Sequence, residues 1–416
     1  MNVLIKSATI IDSKSDFNNK TQDILVKKGV ITKIATRISN PNNYKEIKLD
    51  HLHISQGWFD SSVSFGEPGY EERETIANGL KTAAQSGFTA VALNANTNPV
   101  LSTHTDIAFI KAKAVDHAVE LLPIGVLTKA SEGQALAELY DMKNAGAVAF
   151  GDYQKPIENA NLMKVALQYA STFDGLVCAF PQDNSIAGNG VMNENISSTK
   201  LGLKGIPALA EELQVARDLF LLEYTGGKLH IPTISTKGSV DLIRKAKAKK
   251  LDVSCSVAVH NLIYTDDSLS TFDTNFKVMP PLRTQDDIEA LVGGLKDGTI
   301  DMVTSDHNPL DIEHKKIEFD FASYGTVGLE SLFGALNTVV STKLAVKFLT
   351  RGKQRFGLSE SSINIGNTLN VTLFNPNIKY TFSSESLVSK SKNIIFDNAT
   401  LQGKAYGIIS NNKILI

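Results

Sequence analysis

The chain has 416 residues, too many for a single small core, and its 42% hydrophobic and 21% charged content is that of an ordinary folded protein rather than a disordered one. A formal net charge of -2 leaves no basic excess to draw it to nucleic acid or to an anionic membrane surface. The two cysteines, Cys178 and Cys255, sit in apolar runs and read as buried thiols, which argues against a disulfide framework.

Residues Val3 to Ile11 read as a strand, and Ile24 to Ile34 as a hairpin turning at Lys27-Lys28-Gly29. The opening residues lack the basic and apolar regions of a secretory leader, and no later run reaches bilayer length, so a cytoplasmic protein is expected. From Trp58 onward, short apolar runs alternate with helical patterns. The runs are Trp58–Val63, Phe88–Asn94, Val119–Leu127, Val148–Asp152, Leu176–Phe180, Leu229–Ile234, Leu251–Val257 and Met302–Asp306. Helical patterns such as Glu74–Ser86, Asn159–Thr172, Pro207–Thr225, Ser239–Lys249 and Asp286–Lys296 separate them. Continuously apolar strands with helices between them imply a parallel sheet covered on its outside, and eight such units imply a closed (β/α)8 barrel of the TIM type. An open doubly wound sheet is the alternative, but no glycine-rich phosphate loop follows a strand. The last fifty residues are again strands, Asn370–Phe374 and a hairpin Ala405–Ile416 turning at Asn411-Asn412. Neither end can bury a sheet face alone, so residues 1–54 and 366–416 are expected to form one small β-sandwich domain around a barrel of residues 55–365.

In such a barrel the active site lies where the strands end at their C-termini. Those ends carry Asp60-Ser61-Ser62-Val63-Ser64, Asn94-Ala95-Asn96, Asp152-Tyr153, Phe180-Pro181, Pro232-Thr233 and Ser305-Asp306-His307. Together with Gly66-Glu67-Pro68-Gly69, Asn96-Thr97-Asn98-Pro99, Lys277 to Arg283 and Tyr324 to Glu330, in this order and spacing, the chain resembles the dihydroorotases of the amidohydrolase superfamily over nearly its whole length. This is the type that pairs with aspartate transcarbamoylase in pyrimidine synthesis.

The resemblance also marks where the chain departs. The family holds zinc with an Asp-x-His-x-His motif on strand one. Here Asp60 remains, while the two histidine positions hold Ser62 and Ser64. The family's histidines on strands five and six correspond to Phe180 and Thr233, and its acidic pair after strand four reads Asp152-Tyr153. The strand-eight aspartate, metal ligand and general base in the family, is present as Asp306. On the substrate side, the family's carboxylate-holding Arg is Gly66, its Asn before Pro-Pro-Leu-Arg is Met279, and the His closing its strand-eight motif is Leu310. Asn96, Tyr324 and Gly325 complete the former substrate positions.

A catalytic zinc site takes about three protein ligands and an open position for water. Serine hydroxyls are poor ligands near neutral pH, and phenylalanine is none. Without the metal, no bound water is activated and no amide carbonyl polarised. The expectation is a catalytically inactive relative with no metal or other cofactor, where the family uses zinc. Inactive members of the family act as structural partners of aspartate transcarbamoylase, so the resemblance implies that partner, and implies a homo-oligomer. The alternatives are an active dihydroorotase or related cyclic amidase with an atypical site, and a non-catalytic binder of a small molecule.

The remaining histidines have plainer readings. His51 and His53 are placed on the strand entering the barrel, facing the same side, as surface residues. His230 reads as packing, and His260 and His307 as rim residues making ordinary hydrogen bonds. Asp306 reads as a carboxylate bonded to backbone or to the hydroxyls of Ser62, Ser64 or Thr233, and a serine nucleophile lacks an adjacent histidine base.

Overall fold

The computed structural model describes residues 1–416. Eight strands run parallel and pair in sequence order: Trp58–Val63, Phe88–Leu93, Glu120–Gly125, Ala149–Phe150, Leu176–Cys178, Lys228–Ile231, Val253–Ala258 and Met302–Thr304. They are barrel strands one to eight below. The first and last meet through Ser64, whose N–H donates to the His307 carbonyl at 2.7 Å, and this bond closes the (β/α)8 barrel. The strands are buried on both faces because one face lines the barrel and the other is covered by helices.

Capping residues place those helices where the helical periodicity predicts them. The Thr75 hydroxyl accepts from Asn78 N–H at the start of Ile76–Gln85. Asn159 caps Ala160–Ser171, Thr236 caps Lys237–Ala248, and Thr284 with Asp287 forms a capping box on Gln285–Asp297. Phe356, from a short helical turn, packs 5.2 Å from Phe59 between ring centres and stoppers the N-terminal end of the barrel. Arg355 beside it donates to the Leu229 and Asp252 carbonyls at the feet of strands six and seven.

A second, mixed sheet joins both ends of the chain. Its strand His53–Gln56 runs parallel to Val3–Ile10 on one side and antiparallel to Val371–Thr381 on the other, with Thr9 opposite His53 and Leu373 opposite Ile54. The hairpin Thr21–Lys27/Val30–Ala35, the strands Thr400–Ser410 and Lys413–Leu415, and the short strand Lys45–Ile47 parallel to Val3–Ile10 complete it. A separate apolar core forms on it, with Ile5, Ile24 and Ile54 from the first part of the chain packed with Leu373 and Ile409 from the last. No helix is long and apolar enough to cross a membrane.

Histidine 51 departs from expectation. It sits in an exposed turn with φ of 46°, and only His53 lies on a strand, its Nδ1 within 2.8 Å of the His51 carbonyl. The two imidazoles therefore share no sheet face, because a left-handed turn residue breaks the period-two alternation between them.

Candidate functional site

Strand one delivers Asp60 and Ser62 to the closing seam of the barrel. Asp60 is buried. Its carboxylate accepts from Ser62 N–H at 3.1 Å, from Ser305 N–H at 3.0 Å and from the Thr304 hydroxyl. This ties strand one to strand eight and sets the position of Asp306 one residue further on, in a left-handed conformation with φ of 47°. Asp306 accepts from Ser62 Oγ at 2.8 Å and from the Tyr153 hydroxyl at 3.2 Å. The expected hydroxyl partnership is thus met by Ser62 and by a tyrosine. Ser64 and Thr233 do not take part. Ser64 Oγ receives the Asn94 amide at 3.2 Å, and Thr233 N–H donates to Ser256 Oγ at 3.1 Å.

Ser62, Asp152, Phe180, Thr233 and Asp306 come together around one cavity at the C-terminal end of the barrel, roofed by Tyr153 and Gln154. The cavity measures about 40 Å³, room for roughly two or three water molecules. Gln154 holds the roof, its amide donating to the Tyr153 hydroxyl and to the Met279 carbonyl, both at 3.1 Å. Burial pushes the Asp306 carboxyl up to about 7 against the lowering effect of the Ser62 and Tyr153 hydrogen bonds, with the Asp60 charge adding to the rise. Burial likewise raises Asp152, whose oxygens accept from Leu127 N–H at 2.9 Å, Thr128 N–H at 3.2 Å and the Thr128 hydroxyl. His230 also faces the cavity. Burial lowers its imidazole to about 3, so it is neutral, and its Nδ1 lies 2.9 Å from Ser254 Oγ.

The positions that the resemblance assigns to substrate scatter. Gly66 has no space for any side chain, since a Cβ there would stand 1.8 Å from the Tyr70 carbonyl oxygen. Met279 packs in an apolar cluster with Phe180 and Ile206, against which Tyr324 also rests. The Tyr324 hydroxyl donates to the Gly190 carbonyl at 3.2 Å. Gly325 adopts φ of 143°, and its N–H donates to the Lys277 carbonyl at 3.1 Å. Leu310 is buried beside a different surface groove, and Asn96 is half-buried with its carbonyl oxygen unpartnered.

Two further expectations are corrected. His260 and His307 are buried rather than at the rim. His307 Nδ1 accepts from Gly328 N–H at 3.1 Å, whereas neither nitrogen of His260 has a hydrogen-bond partner. Burial lowers both imidazoles to about 3, so both are neutral. Asn94 and Gln154 are the cavity residues that motif reading passes over. Asn94 carried one signal, an amide ending an otherwise apolar run. Its Nδ2 donates to Ser62 Oγ at 3.1 Å as well as to Ser64. Gln154 carried none, because its role depends on reaching Met279 across the barrel mouth.

This donor set does not fit a catalytic zinc ion. The two cavity carboxylates are already engaged by protein donors, the single imidazole is turned to Ser254, and nowhere in the chain do three His, Cys, Asp or Glu side chains gather as a metal-ligand group.

A barrel carrying a sheet built from both chain ends, with its pocket at the strand C-termini, defines the amidohydrolase class of fold. The L-hydantoinase (dihydropyrimidinase) from Arthrobacter aurescens shares that fold with a TM-score of 0.85 over 99% of this chain and 95% of its own, at 20% identity. A family profile described as Dihydro-orotase-like matches residues 53–239. A dihydroorotase from Caldanaerobacter subterraneus subsp. tengcongensis is 38% identical over 410 residues, 97% of this chain and 94% of its own. One from Pelotomaculum thermopropionicum is 38% identical over 423 residues, 100% and 99% of the two chains. The chain belongs to the dihydroorotase family, which is linked to pyrimidine metabolism.

Proposed function

We propose that this chain is a non-catalytic member of its family, acting in the cytoplasm as a structural or regulatory partner of aspartate transcarbamoylase. The observation that carries the loss of catalysis is the small size of the cavity. Small-molecule sites typically enclose about 300–1,000 Å³, and the space beside Asp306 is about 40 Å³. Its lining offers two engaged carboxylates, hydroxyls at Ser62 and Thr233 and one neutral imidazole turned to Ser254, a poor set for holding the metal that would activate a water and polarise an amide carbonyl. The partnership rests on the resemblance to inactive relatives that serve in that way.

A second reading is an active dihydroorotase or related cyclic amidase. The names of the relatives weigh towards it, and so does Asp306, a retained carboxyl whose protonation midpoint of about 7 suits a general base. The deciding experiment is dihydroorotate hydrolysis by the purified protein with zinc supplied, beside an active relative. The first reading expects no turnover above background. Turnover that a chelator abolishes and Asp306→Asn removes would establish the second. Co-expression with aspartate transcarbamoylase tests the partnership separately, with co-purification in fixed stoichiometry the expected result.

A further inference from the structure

The segments that follow barrel strands one, seven and eight, together with residues 390–393, line a surface groove of about 470 Å³. That volume lies within the range of about 300–1,000 Å³ usual for small-molecule sites. The groove shares no lining residue with the cavity beside Asp306. Lys315, Lys316, Lys390 and Lys392 line it. None of the four forms an ion pair with a carboxylate of the chain. The two acids on the wall, Glu72 and Asp311, are engaged by Arg73, whose Nε lies 3.6 and 3.4 Å from them. Asp311 also holds His314 Nδ1 at 2.7 Å.

Three of the ammonium groups are fixed by main-chain carbonyls. Lys315 Nζ donates to Thr274 at 2.8 Å and Lys277 at 3.1 Å, Lys390 Nζ to Glu71 at 2.7 Å, and Lys392 Nζ to Leu387 at 2.9 Å and Ser389 at 3.0 Å. An ammonium has three N–H donors, so each keeps at least one for a ligand. Anchoring in advance also removes part of the side-chain entropy that a loose lysine loses on binding.

Lys315 is unlike an ordinary surface lysine. It is only 6% exposed, and burial together with the charge of Lys277 lowers its ammonium to about 7. Lys277 is buried too, and its Nζ is bonded to the Phe319 and Asp320 carbonyls. Two neighbouring buried cations without a carboxylate in contact are costly, and an anion in the groove supplies the missing charge.

The donors indicate which anion. A planar carboxylate is best matched by the arginine fork, and no arginine lines the groove. Lysine binds phosphate as a point charge. One phosphate brings about two negative charges, so four ammonium groups match two or more linked phosphates. A single groove on a chain of net charge -2 does not suit an extended polyanion.

We infer that this groove binds a small molecule carrying two or more linked phosphates, held by Lys315, Lys316, Lys390 and Lys392 and separate from the barrel cavity. Isothermal titration of the full-length protein with inorganic pyrophosphate tests this, with inorganic phosphate and citrate run at the same ionic strength. Saturable binding of one pyrophosphate per chain is expected, about tenfold or more tighter than either control. Lys316 and Lys392 are exposed, so Lys316→Ala and Lys392→Ala are expected to leave the melt of the unliganded protein unchanged. Each is expected to weaken pyrophosphate binding about five- to tenfold. Lys343→Ala, in a different groove, is expected to leave it unaltered. No binding of pyrophosphate at millimolar concentration would overturn the inference. So would binding that survives the two groove substitutions combined, or that citrate equals.

Discussion

Two buried aspartates on neighbouring strands, Asp60 and Asp306, have different companions. Asp60 is met by two backbone N–H groups and a threonine hydroxyl that lock the barrel seam. Asp306 is met only by the hydroxyls of Ser62 and Tyr153, beside a cavity with room for a few waters. The same division runs through the family motifs. Those that persist have structural bonds: Arg283 donates to Asn193 and to the Ile206 carbonyl, Lys277 to the Phe319 and Asp320 carbonyls, and the Glu330 carboxylate accepts from Val388 and Ser389 N–H. The positions that the sequence reading sets apart, Ser62, Ser64, Phe180 and Thr233, carry hydroxyls and a phenyl ring where the resemblance leads one to expect metal ligands.

That contrast can be broken from the frame side first. Asp60→Ala strips the acceptor from three buried donors and is expected to cost on the order of 4 kcal/mol, read as a lowered urea midpoint. The cavity side behaves in the opposite sense. The Asp306 carboxyl titrates at about 7 in the folded protein against an ordinary value of 3.8, so between those pH values the folded state holds a proton that the unfolded state has lost. Its contribution to stability therefore falls as pH rises across that window, by at most about 1.4 kcal/mol per unit, and the deficit levels off above the upper value. Asp306→Asn is expected to flatten this slope and to be more stable than wild type at pH 8 by on the order of 2 kcal/mol, with the gap closing towards pH 4 in urea titrations. A variant less stable than wild type at pH 8 would place Asp306 in the frame instead. Asn94→Ala removes two hydrogen bonds to serine hydroxyls, and a loss of about 1 kcal/mol is expected from the same measurement. The smallest effect belongs to zinc. Added in excess, it is expected to move the melting temperature by less than about 1 °C, because a ligand stabilises only a fold that binds it.

Most of the frame was legible in the chain. The alternation of apolar runs and helical patterns specifies eight βα units, because parallel strands buried on both faces need continuous hydrophobicity. That the strand ends carry the cavity residues Ser62, Asp152, Phe180, Thr233 and Asp306 was legible too, since each is set by its place at a strand end. Tertiary structure alone decided how they meet. That Tyr153 turns to Asp306, that Gln154 reaches Met279 across the mouth, and that His260 and His307 are buried rather than at the rim all depend on partners far away in sequence. Local periodicity specifies which way a side chain leaves its own strand. What it meets there is determined only when the barrel closes and brings distant strands within hydrogen-bond reach.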